Sequence, residues 1–222
     1  MMKYLIALLL AILIVSACTP EDTPSASVAY VLGDVIYQNS FDDPNSWESF
    51  GFMDTQFGIA DGVYNAISSG GGYIPVTNRE THSNVVIEAQ TALISGSAET
   101  VYGIICRAQS ANTSVGYYFL IDGAGQFGIR IGEGNRIRVF VPWTRHPAVN
   151  AGIAENTLRA VCIDDYFALY INGQFVAENR QDWLTEGQMG LVVSAPDGVG
   201  ISAQFDNVTI WSAELAGPSD EG

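Results

Sequence analysis

The stretch Asp164–Arg180, DDYFALYINGQFVAENR, leaves the backbone few choices. Phe167, Leu169 and Ile171 fall on one side of an extended chain, and Ala168 and Tyr170 on the other. Asn172-Gly173 then supplies two residues that tolerate positive φ, as the two-residue turn of a type I′ hairpin requires. Phe175 and Ala177 resume the alternation on the return strand. Nothing in this hairpin is chemically reactive, so function has to come from residues around it. The same grammar recurs from Val28 onward, in runs such as NVVIEAQTAL, VYGIICRAQ, VGYYFLID, QFGIRIG, RIRVFVPW and MGLVVSA. Between runs stand Asp61-Gly62, Asp122-Gly123, the GEGN of residues 132–135, and Asp197-Gly198. Short strands separated by such turns predict an all-β sandwich or barrel. AENRQDWLTEG is the one later window compatible with a turn of helix.

The first residues follow a different logic. Lys3 precedes an apolar run from Leu5 to Val15, too short for a permanent membrane span. The run ends in Val15-Ser16-Ala17-Cys18, which resembles the lipobox of bacterial lipoproteins. That resemblance implies cleavage before Cys18 and lipidation of its thiol. TPEDTPSAS then reads as a polar tether. The expected organisation is a signal segment over 1–17, lipidated Cys and tether over 18–27, one β domain over 28–213, and a tail over 214–222. The implied location is the extracytoplasmic face of the cell envelope, with membrane contact through the lipid alone. Loss of Lys3 leaves eight basic residues, all Arg, against 24 Asp and Glu, a net charge of −16. Such a surface repels phosphate backbones, which excludes nucleic acid as a partner.

With Cys18 assigned to lipid, Cys106 and Cys162 remain. Cys106 shares a strand face with Tyr102 and Ile104, and Cys162 with Leu158 and Ala160. An exported chain folds where thiols oxidise, so a disulfide between neighbouring strands is expected, two buried free thiols being the alternative. Two cysteines without nearby His do not make a zinc set.

The order SFDDPNSW, GIICRAQSANTSVGYYFLID, NTLRAVCIDDYFALYINGQFVAE, GQMGLVVS and AQFDNVTIW resembles the concanavalin A-like lectin/glucanase superfamily. The similarity is greatest to its laminin G-like and 3-keto-disaccharide hydrolase-type modules. It implies a two-sheet antiparallel jelly roll and three kinds of function. Glucanases of this fold place Glu-x-Asp-x-Glu on one strand, because acid and nucleophile must face each other across a sugar. This chain has no such motif; Glu88-Ala-Gln90-Thr-Ala92 lacks the partner acids, and the acids of ENRQDWLTE are wrongly spaced. His82 and His146 are the only histidines, and no Gly-x-Ser-x-Gly elbow accompanies them. Hydrolysis of a modified disaccharide therefore stays as an alternative carried by the resemblance alone, and a structural or adhesive module that binds protein is another.

Carbohydrate binding is the favoured expectation. It needs a flat aromatic surface for a pyranose and polar groups for its hydroxyls, which Trp143, Arg145 and His146 offer on an expected loop. Tyr117 and Tyr118 lie on opposite faces of one strand, and Tyr118 joins the candidate ligand set. Trp47, Trp183 and Trp211 are expected to pack. A calcium ion could join the ends of the domain through Asp42, Asp43 and Asp206, although Asp42 and Asp43 also suit a turn and Asp206 a bulge.

Overall fold

The computed structural model describes residues 25–217, except Met53 and the side chain of Phe52. The lipobox, Cys18 and most of the tether lie outside the described residues, as does the end of the tail. Fifteen strands follow along the described chain: β1 (Tyr30–Asn39), β2 (Phe50–Phe52), β3 (Thr55–Ala60), β4 (Val63–Ser68), β5 (Ile74–His82), β6 (Val85–Ser95), β7 (Val101–Ala108), β8 (Val115–Asp122), β9 (Gln126–Glu133), β10 (Ile137–Arg145), β11 (Glu155–Ile163), β12 (Tyr166–Ile171), β13 (Gln174–Arg180), β14 (Gly187–Ser194) and β15 (Ile201–Leu215). A nine-stranded sheet runs β13-β12-β11-β6-β15-β4-β3-β2, and β1 also pairs with β15. A six-stranded sheet runs β10-β9-β8-β7-β14-β5. Every pairing is antiparallel.

Several local expectations can now be placed. Asn172 (φ 51°) and Gly173 (φ 78°) form the left-handed pair between β12 and β13, and Asp61 (φ 56°) and Gly62 (φ 75°) do the same between β3 and β4. No helix forms at AENRQDWLTEG: Ala177–Arg180 belongs to β13, and an irregular link leads to β14. The final strand pairs to Leu215, and the Ala216 N–H donates to the Ala29 carbonyl, so the sheet runs past the expected boundary at 213. Trp183 is 44% exposed rather than packed, because it sits in that irregular link. Trp47 is buried, and Trp211 packs against Val86 and its neighbours.

Alternation builds the core between the two sheets. Ile87, Ala89 and Leu93 of β6 and Leu158 and Ala160 of β11 meet Tyr117, Phe119 and Ile121 of β8 and Ile129 and Ile131 of β9. Tyr117 and Phe167 stack across the layers with centroids 4.1 Å apart. Cys106 and Cys162 are joined, with S–S 2.09 Å and Cα atoms 7.0 Å apart. The bridge does not link neighbouring strands, as the sequence suggested. It ties β7 of one sheet to β11 of the other, because both side chains point into the space between layers.

The Asn172 side chain also serves the fold. Its amide donates to the Ala148 carbonyl (2.8 Å) and to Asn156 Oδ1 (2.9 Å), and its oxygen accepts from the Thr157 N–H (2.8 Å). Asn156, 3% exposed, in turn holds the backbone of Asn150 at 2.9 and 3.0 Å. Asn172→Gly keeps the turn conformation and loses the three side-chain bonds of Asn172. It is expected to lower stability by about 2–3 kcal/mol in urea unfolding, against a few tenths if the asparagine acted only through its φ.

Candidate functional site

A ligand must meet an outward face of one sheet. On the six-stranded sheet most of that face is closed by the protein itself. Tyr118, Leu120, Ile105 and Val192 point outward yet are fully buried. Tyr118 lies across Gly132, where a Cβ would stand 2.6 Å from its ring, and its hydroxyl donates to the Ser114 carbonyl (3.1 Å). Tyr73, just ahead of β5, covers Tyr118 at 5.3 Å between centroids. Because β5 and β8 are three pairings apart, roughly 14 Å, the chain ahead of β5 must bend across the face. Burial raises the pKa of both tyrosines, with Arg130 opposing the shift at Tyr73. Arg130, 5% exposed, sets its guanidinium 4.7 Å from the centre of the Trp143 ring and donates to the Val141 carbonyl.

The β5 end of this sheet is open. A cleft of about 450 Å³ is lined by Glu48, Phe50, Pro75, Thr77, Arg79 and Gln188, with Ser110 and Thr113 at its side. Its shape comes from two register faults around Met189. Between Gln188 and Gly190, β5 inserts Asn78–Glu80 and β7 inserts Cys106-Arg107 opposite that single residue. Arg79 (φ 64°) and Arg107 (φ 52°) take left-handed conformations there, which non-glycine residues rarely adopt. One bulge turns Arg79 outward to pair with Glu48 at 2.5 Å, both exposed. The other turns Arg107 into the protein.

Gln188 stands between these bulges and is only 8% exposed. Its Oε1 accepts from the Thr77 hydroxyl at 2.7 Å. Among the described residues its amide nitrogen has no partner, and it is not sealed from solvent as the Trp47 indole nitrogen is. An almost buried amide, fixed by a buried threonine and open toward a cleft, is a prepared hydrogen-bonding group. Phe50, 43% exposed, supplies apolar ring surface beside it.

A second cleft, of about 430 Å³, lies on the outer face of the larger sheet among Gln90, Glu155, Thr157, Gln204 and Asp206. Several of its polar groups are already engaged with neighbours. Asp206 accepts from Asn207 at 2.7 and 3.1 Å, Asn207 donates to Gln90 Oε1 at 2.9 Å, and Gln204 donates to Asn65 at 3.0 Å. The cleft at β5 is the better candidate.

No family model matches the chain, and no curated protein matches it. Solved structures do. A carbohydrate binding module, CBM66, from Bacillus subtilis aligns over 81% of this chain and 98% of its own at 18% identity, with TM-score 0.54. A Bacillus subtilis protein with a galectin-like fold aligns over 83% and 98% at 15% identity, TM-score 0.56. A Bacteroides ovatus GH16 protein, in complex with a G4G4G3G product, aligns over 79% and 100% at 10% identity, TM-score 0.57. The fold is the concanavalin A-like jelly roll.

This jelly roll packs Trp143 against the outward cluster that holds Tyr118, while Arg145 and His146 lie at the end of β10. Trp143 lies in β10 rather than on a loop, with one ring face occupied by Arg130. Tyr118 is sealed beneath Tyr73 and is out of a ligand's reach in this conformation. Arg145 ends β10, exposed and without an ion-pair partner among the described residues. His146 turns the chain, its Nδ1 accepting from the Ala148 N–H at 3.1 Å and its ring edge-on to Phe127 at 6.0 Å. Asp43 caps the Asn45 N–H (2.9 Å), Asp42 accepts from the Ser40 hydroxyl (2.7 Å), and Asp206 marks a β15 bulge with Asn207 at φ 47°. Among the described residues no group of three or more His, Cys, Asp or Glu is disposed to hold a metal, so these three acids form no such cluster. Sequence reasoning missed Gln188, Thr77, Arg79 and Phe50; the one visible signal was a glutamine inside the apolar run Gly187–Val193.

Proposed function

We propose that this protein is an exported, lipid-anchored module that binds a glycan without cleaving it, at the β5 cleft of the six-stranded sheet. The observation that carries the reading is the Gln188 amide, held by Thr77 and left with unspent donors facing a cleft that also offers an aromatic ring. Sugars present alternating hydroxyls and an apolar ring face, and this set answers both. Similarity in fold to a carbohydrate binding module supports the choice of ligand class. Among the described residues Glu48 is the only carboxylate lining this cleft, and it is paired with Arg79, so the two-acid arrangement of a glycosidase is not assembled there. That argues for binding over hydrolysis.

The test is a glycan array probed with the wild-type protein and three variants. Gln188→Ala and Phe50→Ala are each expected to weaken binding by about tenfold or more, the effect of removing one good hydrogen bond or one stacked ring from a small site. Trp143→Ala should leave affinity unchanged. Binding abolished by Trp143→Ala but kept with Gln188→Ala would return the site to β10, and wild-type silence across the array would favour the protein-binding, adhesive alternative.

A further inference from the structure

The cleft does not end at the Glu48–Arg79 pair. On its far side a smaller hollow of about 300 Å³ is lined by Asn45, Ser46, Trp47 and Asn78, and it shares Glu48, Thr77 and Arg79 with the larger one. The ion pair therefore forms a low bar between two adjoining chambers. The bar is built in: the inserted residues Asn78–Glu80 force Arg79 outward with positive φ, and Glu48 follows the buried Trp47. One wall of the smaller chamber is Trp47, whose indole Nε1 is sealed from solvent, so the chamber's polar lining comes from Asn45, Ser46 and Asn78. Each chamber thus offers polar groups, the Gln188 amide on one side and the Asn45 and Asn78 side chains on the other.

Charge narrows the ligand further. Among the described residues the only formal charges lining the two chambers are Glu48 and Arg79, and they neutralise one another at 2.5 Å. Around them stands a chain with 24 acidic residues and 9 basic ones. A negatively charged sugar would approach against that field, and the one cation it would meet is already paired.

From this arrangement we infer that the ligand is an uncharged oligosaccharide laid across the Glu48–Arg79 bar. One sugar unit sits against Phe50, Thr77 and Gln188, and the next sits in the Trp47 chamber. This rests on the glycan reading above and adds a minimum length of two sugars and a selection against uronates. Arg79 and Glu48 act as positioning residues that fix the spacing between the units.

Nuclear magnetic resonance on the ¹⁵N-labelled full chain separates the possibilities. Trp143→Phe, Trp183→Phe and Trp211→Phe identify the Trp47 indole signal by elimination, and Gln188→Ala identifies the Gln188 side-chain amide. The probes are glucose, galactose, mannose and fructose, the neutral β-1,3-, β-1,4- and β-2,6-linked disaccharides made from them, and digalacturonate. Monosaccharides are expected to shift the Gln188 amide alone. A bound neutral disaccharide is expected to shift both signals and to bind about tenfold more tightly, as one or two added hydrogen bonds allow. Digalacturonate should bind more weakly than the neutral disaccharide, and Asn78→Ala should weaken disaccharides but not monosaccharides. If the Gln188 amide responds equally to mono- and disaccharides while Trp47 stays still, the site holds one sugar: the inference fails and the glycan reading stands. Tighter binding of digalacturonate would overturn the selection against uronates alone. If neither signal moves with any probe, the glycan reading fails and takes this inference with it.

Discussion

Replacing Arg107 with Met is expected to lower the unfolding free energy by about 3–5 kcal/mol, the range for a buried charged residue whose partners are left behind. Arg107 is 1% exposed, and among the described residues no carboxylate lies within ion-pair distance of it. Backbone carbonyls take that place. Its Nη1 donates to Asp164 (2.8 Å) and Leu184 (2.6 Å), its Nε and Nη2 to Ser83 (3.3 and 3.2 Å), and its Nη2 also to Cys162 (3.4 Å). The guanidinium stands 5.1 Å from the centre of the Phe167 ring. Burial pulls its pKa below the ordinary arginine value, with Tyr117 and Asp164 acting in the opposite direction. Three of the carbonyls belong to separate connections, the β5–β6 turn, the β11–β12 turn and the link from β13 to β14, and that of Cys162 belongs to β11. One side chain from the six-stranded sheet therefore gathers loops around one end of the sandwich.

Methionine fills much of the space but donates nothing, so the Ser83, Asp164 and Leu184 oxygens lose partners at about 1–3 kcal/mol for each one that water cannot reach. Arg107→Lys should fall between wild type and Met, since an ammonium has three donors and lacks the planar fork that reaches separate loops. Urea unfolding with an unchanged m-value would check this. A loss under about 1 kcal/mol for Arg107→Met would mean that the carbonyls find water and that the clamp contributes little.

Arg107 also marks where sequence reading stops. The Asn172-Gly173 and Asp61-Gly62 turns were legible because the residues that permit positive φ are the residues that form them. Two-layer packing was legible because alternation is a property of each strand alone. Arg79 and Arg107 were not, because their conformations arise from unequal residue counts on paired strands, which no single strand displays. Tyr118 shows the same limit. Alternation correctly sets it opposite Tyr117, but an outward side chain is read as accessible only if nothing crosses it, and Tyr73 crosses it from another part of the chain. For Cys106 and Cys162, alternation pointed both side chains inward without saying that their strands belong to different sheets. The site was missed for a related reason: Gln188 gains its character from Thr77, more than a hundred positions away.

The bridge between those sheets sets the second large effect. Cys106 and Cys162 close a loop with a sequence separation of 56. Restricting the unfolded chain to that loop contributes about 4 kcal/mol in the chain-entropy account. The double variant Cys106→Ala/Cys162→Ala is accordingly expected to melt roughly 8–16 °C lower, at the few degrees per kcal/mol typical of a domain this size. Both cysteines are 0% exposed, so dithiothreitol should act on the native protein only through its unfolding, and reduction should track the unfolding rate rather than the reductant concentration. The two devices are coupled. Arg107 follows Cys106 in the chain and donates to the carbonyl of Cys162, so the disulfide holds the strand segments that the guanidinium clamps. Cutting the bridge should weaken the clamp, and the cost of Arg107→Met measured without the disulfide should shrink by about 1 kcal/mol, within the range of contacting pairs. Strict additivity in that cycle would mean that the sheets keep their alignment without the sulfurs, leaving the disulfide to act on the unfolded chain alone.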